Sequence, residues 1–310
     1  MNEPTPAADL IPLLAALAPS DRSALDPQQQ RAEYLEFVKM FREETPTFAG
    51  TVVDESLTLD SDGHSVGIRR YLPTDEDAAG HVLVYLHGGG WVMGNLETHD
   101  HFTRSLSEAL RVEVVAVDYR LAPEHPFPAA FDDCLGVLAK LVQTSTWVGV
   151  GGDSAGGNLA AAVTAELTRL GSPVDAQFLI YPGLSAPKTP LDTTLDGFGL
   201  DASDITYFWN AYRGSTEPDA RLAPLLAADP IDAPPTLVVT AGLDPLAPDG
   251  IQYAQRLIES GVATTYLPFP NLIHGWLELA GSVPSAGLAR AVLIEAIRSL
   301  RDRTITRIRT

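Results

Sequence analysis

Hydrophobic residues fall into two rhythms along this chain. Short apolar runs of strand length occur at 81–86, 114–117, 147–150, 177–181, 236–240 and 262–267. Between most of them lie longer segments with helical spacing, near 98–110, 128–143, 157–170 and 248–260. Buried strands alternating with helices predict a parallel sheet wrapped on both faces. Two further runs, 51–59 and 65–72, flank the turn signal Asp60-Ser61-Asp62-Gly63 and read as a hairpin at a sheet edge. The expectation is an α/β fold with an eight-stranded, mostly parallel sheet, closed by a last helix near 284–301.

Two regions fall outside that alternation. Residues 7–18 and 28–44 read as helices, the second with Tyr34, Phe37, Val38 and Phe41 on one face. The stretch 184–234, rich in Pro, Asp and Thr, carries one helix-like piece at 203–212 and interrupts two core strands. We read residues 1–48 as cap helices and 49–310 as the main body, with 184–234 inserted as the second part of the cap.

Composition narrows the class. The chain has 40 acidic against 21 basic residues, a formal charge of −19. Phosphate contacts need clustered Lys and Arg, so neither nucleic acid nor an anionic membrane is expected as a partner. The single cysteine, Cys134, excludes an intramolecular disulfide and sits among Phe131, Leu135 and Leu138 as a buried apolar residue. The apolar run 10–17 is too short to span a bilayer and has no basic flank at the N-terminus. A cytoplasmic location is the expectation.

The chemistry centres on Gly152-Asp153-Ser154-Ala155-Gly156-Gly157, between an apolar run and a helical one. In that context G-x-S-x-G makes a sharp turn that lifts a serine hydroxyl clear of the sheet. The bland reading of the pentapeptide is a helix start with Asp153 or Ser154 as N-cap. Gly149, Gly151 and Ser154 also mimic a dinucleotide fingerprint, but no acidic residue ends a second strand about 20 residues on.

A nucleophilic serine needs a base, and the base an orienting acid. Of seven histidines only His274 lies beyond the last expected strand, and Asp244 follows the strand before it. The order Ser154, Asp244, His274 is the order found in α/β-hydrolases. After the first long buried strand comes His87-Gly88-Gly89-Gly90-Trp91, whose glycines let backbone N–H groups converge on a developing oxyanion. His87 reads as a brace for that loop. Thr98 reads as the cap of the following helix, and Arg120 and Glu124 as members of structural ion pairs. Trp91, Phe208 and Trp276 are candidates for the substrate pocket. Ser185-Ala186-Pro187-Lys188 matches S-x-x-K, but its prolines oppose the helical turn that pattern requires.

Together with Tyr119-Arg120-Leu121-Ala122-Pro123-Glu124 and Asp244-Pro245-Leu246, these motifs resemble the hormone-sensitive-lipase-like group of α/β-hydrolases, mainly its bacterial family IV esterases. The resemblance runs from about residue 50 to the C-terminus. It implies carboxylester hydrolysis through Ser154, Asp244 and His274, without a metal or organic cofactor. It also implies an oxyanion hole at Gly88, Gly89, Gly90 and Ala155, with N–H groups of the last three as donors and Gly88 shaping the loop. One departure is Ala247-Pro248-Asp249-Gly250 where such esterases carry Arg-Asp-Glu-Gly, which removes a supporting ion pair from the acid loop. The expected substrate is a small ester of short to medium chain, and an exposed last strand is a candidate for homodimer pairing. An amidase or peptidase with the same triad, or a non-catalytic receptor on this fold, would use the same residues differently.

Overall fold

A computed structural model describes residues 5–16, 25–42, 48–59, 63–74, 80–187 and 192–308. Asp60 to Asp62 of the expected hairpin turn, the last residues of both expected cap helices, and Lys188 lie outside them. The strands are β1 (Thr51–Thr58), β2 (Ser65–Leu72), β3 (His81–Leu86), β4 (Glu113–Asp118), β5 (Trp147–Asp153), β6 (Ala176–Ile180), β7 (Thr236–Leu243) and β8 (Thr264–Ile273). They form one sheet in the order β1-β2-β4-β3-β5-β6-β7-β8. Pairing is antiparallel for β1 with β2 and β2 with β4, and parallel from β4 through β8. The hairpin stands at the edge, as its turn signal and alternation predict.

The helices are α1 (Ile11–Ala16), α2 (Pro27–Phe41), α3 (Leu96–Leu110), α4 (Ala129–Thr144), α5 (Ala155–Arg169), α6 (Ala202–Arg213), α7 (Ala247–Glu259) and α8 (Pro284–Ile308). Two apolar cores lie on opposite faces of the sheet. One joins Val82, Val84 and Leu86 to Cys134 and Leu138 of α4, Leu159 and Val163 of α5, and Leu257 of α7. The other joins Leu83 and Tyr85 to Phe102 and Leu106 of α3 and Leu293 and Ile297 of α8. Alternate residues of one strand thus feed two cores, which is why β3 is apolar almost throughout. Cys134 is fully buried, and that burial pushes its thiol pKa up.

Helix α2 starts at Asp26, whose carboxylate caps the N–H groups of Gln28 and Gln29. The Gln29 side chain accepts in return from the Asp26 N–H. Its Arg31 reaches the carbonyls of Val92 and Ala122 and forms an ion pair with Glu124. Gln30 donates to the Tyr207 hydroxyl at 2.8 Å, so α2 touches α6 of the inserted stretch. Helix α3 differs from expectation at its start: Asn95 is the N-cap, accepting from Glu97 and Thr98, and Thr98 closes the box by accepting from the Asn95 N–H. Arg120 grips the buried Asp133 through several hydrogen bonds, so both expected ion pairs are present.

Candidate active site

Parallel strands deliver their carboxyl ends to one edge, and the loops there carry the chemistry. Ser154 follows β5 with φ 52° and ψ −116°, a conformation that strains a residue with a side chain. The flanking glycines make the turn fit. A Cβ at Gly152 would lie 2.3 Å from the Leu86 carbonyl oxygen, and one at Gly156 only 1.9 Å from it. The backbone is therefore pressed against the end of β3, and the Ser154 hydroxyl is thrown forward.

The His274 Nε2 lies 2.9 Å from Ser154 Oγ, and its Nδ1 lies 2.8 Å from Asp244 Oδ2. Asp244 is fully buried, and its other oxygen accepts from the Leu246 N–H at 2.8 Å. Burial alone would lower the His274 pKa. The Asp244 carboxylate, with Glu278 and Asp153 farther off, outweighs it and holds His274 above its ordinary value. Such an arrangement lets an imidazole take the hydroxyl proton while a carboxylate fixes its tautomer. Asp249, in the first turn of α7, ties that helix to the chain after β6: its carboxylate accepts from the N–H groups of Leu184 and Ser185 and from the Ser185 hydroxyl. Ser185 is thus a partner of Asp249, and the chain there is not helical.

Gly89, Gly90 and Ala155 border the same cavity as Ser154. Ala155 opens α5, where N–H groups lack intrahelical acceptors. Gly88 turns its N–H away from the cavity and donates it to Asp153 Oδ1 at 3.0 Å. A Cβ on Gly88 would meet Asp153 Oδ2 at 2.1 Å, so the residue shapes the loop. His87 is buried and stacks on Tyr119, with ring centroids 4.2 Å apart. Its Nδ1 lies 2.8 Å from the Gly88 carbonyl oxygen, the geometry of a brace. Burial, aided by His99, pushes the His87 pKa down to about 3, which suits it to structure rather than proton transfer.

The cavity measures about 390 Å³ and takes in Trp91, Met93, Leu200, Phe208, Trp209 and Leu246. Phe208 presses its ring on Gly90, where a Cβ would come within 2.3 Å of it. Trp276 does not border the cavity. It is fully buried behind Tyr181 and Phe269, because the turn after Gly275 folds it into the core.

Sequence reading missed a second group of side chains around Asp153. Asp153 Oδ1 accepts from the Tyr85 hydroxyl at 2.6 Å and lies 3.2 Å from His99 Nε2. Glu278 Oε1 lies 3.8 Å from the same His99 nitrogen and accepts from the Tyr34 hydroxyl at 3.0 Å. Ligand atoms of His99, Asp153 and Glu278 fall within 4.8 Å of one another, close enough for a cation. Tyr85, Gly88 and Tyr34 already engage the carboxylates, so the trio reads more simply as a hydrogen-bonded network. Burial, reinforced by Asp153, pushes Glu278 up to about 7 against the opposing pull of His99. No linear motif announces this group, because its members come from α2, β3, α3, β5 and the turn after β8.

The family model described as alpha/beta hydrolase fold matches residues 83–278. The chain belongs to that family. This α/β-hydrolase is 38% identical to the esterase LipI of Mycobacterium tuberculosis over 252 residues, 76% of this chain and 78% of that protein. It is 33% identical to an ethyl acetate hydrolase of Pseudomonas putida, over 84% of this chain and 88% of the other. Among solved structures, an α/β-hydrolase from the metagenome of Lake Arreo superposes with a TM-score of 0.86 at 32% identity, covering 95% of this chain and 98% of that one. A thermostable carboxylesterase from a metagenomic library, EstE1, does so with a TM-score of 0.79 at 34% identity, covering 89% and 98%. The α/β-hydrolase is a carboxylic ester hydrolase of the hormone-sensitive-lipase-like group. Among its described residues no helix is long and apolar enough to cross a membrane.

Proposed function

We propose that this hydrolase cleaves short- to medium-chain carboxylic esters through a Ser154–His274–Asp244 triad and an acyl-enzyme intermediate. Ser154 Oγ attacks the ester carbonyl as His274 Nε2 takes its proton. The N–H groups of Gly89, Gly90 and Ala155 receive the oxyanion. His274 then returns the proton to the leaving alcohol, and water repeats the cycle on the acyl-enzyme. Asp244 keeps the imidazole in the tautomer that presents Nε2 to the serine. No cofactor enters this scheme.

The observation that carries the proposal is the pair of contacts at 2.9 and 2.8 Å joining Ser154, His274 and Asp244 at the wall of the cavity. A volume of about 390 Å³ lies at the small end of ligand pockets and suits a compact ester. The contact between Gln30 and Tyr207 supports reading residues 1–48 and the stretch 184–234 as two parts of one cap. p-Nitrophenyl esters of increasing acyl length, tested on wild type beside Ser154→Ala, check the proposal. The expected result is a maximum at short or medium chains and background rates in the variant. A variant that retains wild-type turnover would remove Ser154 from the mechanism.

A further inference from the structure

The cavity next to Ser154 has an uneven charge that ester hydrolysis alone does not require. Among the described residues three carboxylates border it, Glu33, Asp153 and Glu278, and no lysine or arginine does. Their situations differ. Glu33 is exposed at the rim. Asp153 is buried and has His99, Tyr85 and the Gly88 N–H as partners. The Glu278 side chain is only 8% exposed, and one of its oxygens, Oε1, is held by the Tyr34 hydroxyl. Its other oxygen, Oε2, is buried and accepts no well-formed hydrogen bond from another described residue, the remaining donor near the carboxylate being the backbone N–H of Glu278 itself. A buried carboxylate oxygen with no donor is costly, and it persists where something it can bind arrives.

Position tells which part of an ester would meet it. Glu278 lies four residues beyond His274, in the short 3₁₀ turn Trp276–Leu279. Its Oε2 lies 3.4 Å from where a Cβ on Gly275 would stand, so no side chain of residue 275 separates it from the His274 end of the cavity. In the proposed mechanism His274 Nε2 protonates the leaving alcohol, so the alcohol portion departs on this side while the carbonyl oxygen faces Gly89 and Gly90. We propose that the unpartnered Glu278 carboxylate oxygen, beside Tyr34 and Asp153, is a subsite for a protonated amine on the alcohol portion of the substrate, making esters of amino alcohols a preferred class. The inference rests on the triad reading of the same site. Above its pKa of about 7 Glu278 is ionised and an ammonium N–H would supply a donor to Oε2, with no lysine or arginine among the described residues of the cavity wall to repel it.

The test compares two esters of the same shape, 2-(dimethylamino)ethyl butyrate, protonated near neutral pH, and its carbon counterpart 3-methylbutyl butyrate. Release of each alcohol is followed chromatographically, with p-nitrophenyl butyrate as the reference substrate. Wild type should favour the ammonium ester in kcat/KM by about tenfold to a hundredfold, the range of a charge-assisted hydrogen bond. Glu278→Gln should bring that ratio close to one. The wild-type preference should survive high salt, because a local contact is screened less than long-range attraction to an acidic protein. As a check independent of the variant's folding, 2-(dimethylamino)ethanol should inhibit wild-type p-nitrophenyl butyrate hydrolysis more strongly than 3-methylbutanol. Equal rates for the two esters, or a preference for the carbon counterpart, overturns the inference while p-nitrophenyl butyrate turnover still supports the triad. A preference that persists in Glu278→Gln, or vanishes in salt, assigns it to net charge and also overturns the subsite. Failure of wild type to cleave p-nitrophenyl butyrate would strike the triad reading itself.

Discussion

Asp244 faces His274 across 2.8 Å, and Asp153 faces His99 across 3.2 Å, so two aspartate–histidine pairs with buried carboxylates flank one serine. In both pairs burial pulls the imidazole pKa down and the carboxylate more than restores it, leaving each histidine above its ordinary value. The difference lies in the remaining partners. His274 turns its second nitrogen to the Ser154 hydroxyl, whereas the second nitrogen of His99 lies 2.9 Å from Thr98 Oγ1. Asp153 also collects Tyr85 and Gly88, so it ties the glycine loop to β5. The same two side chains can face a serine hydroxyl or fasten a loop, and the third partner decides which.

The sharpest way to break this comparison is to remove one member from each pair. Ser154→Ala and His274→Ala should each lower kcat by at least about 10⁴-fold, because members of a triad act as a unit. His99→Gln should cost far less in kcat and show its effect in thermal unfolding, by about 3–5 kcal/mol, since Asp153 and Glu278 lose a buried counter-charge. Equal catalytic losses would erase the distinction. Next in size is Asp244→Asn, expected to lower kcat/KM by about 10³–10⁴-fold through the wrong imidazole tautomer. Asp153→Asn, which keeps the size of the side chain, should lose much less.

A pH profile sharpens the comparison from the side of charge. His274 must be neutral to act as base, and Asp244 holds its pKa above 6.5, so kcat/KM should rise with pH and inflect above that value. A flat profile from acid to neutral pH would remove His274 from the base role. The smallest effect is on stability. The Glu278 pKa is about 7 in the folded chain against an ordinary 4.5, so the folded state holds this proton more tightly than the unfolded one. Its contribution is therefore complete below about pH 4.5 and lost as pH rises through 7. The groups around it are His99, Asp153, Tyr34, Tyr85, Tyr181 and His274, with His101, Arg42 and Arg290 across a smaller cavity. Glu278→Gln should unfold a few degrees higher than wild type at pH 8, and the gain should shrink at pH 5 when melting curves are compared.

What could be read from the sequence follows from how each feature is encoded. Strands and helices follow from local rhythm, and Ser154, Asp244 and His274 each sit in a short segment after a strand. Their juxtaposition follows from chain order, because parallel strands bring all three loops to one edge. The network of Tyr34, Tyr85, His99, Asp153 and Glu278 has no such encoding. Its members are scattered along the chain, and each has an ordinary local explanation. Trp276 shows the same limit: adjacency to His274 suggested the cavity, but the turn at Gly275, with φ 70°, sends the ring into the core. Asn95 displaced Thr98 as cap because the capping box needs both residues, and spacing alone does not say which of them stands outside the helix.

The ring of Phe208 against Gly90 gives this fold a particular path of adaptation. The wall that would select among esters is the same surface that holds the glycine loop in place, so a change that widens the chamber at position 208 also loosens the loop. A descendant accepting bulkier substrates through that position would first become a slower generalist. It would recover speed only after a second change, elsewhere in α6 or in the loop itself, restored the lost support.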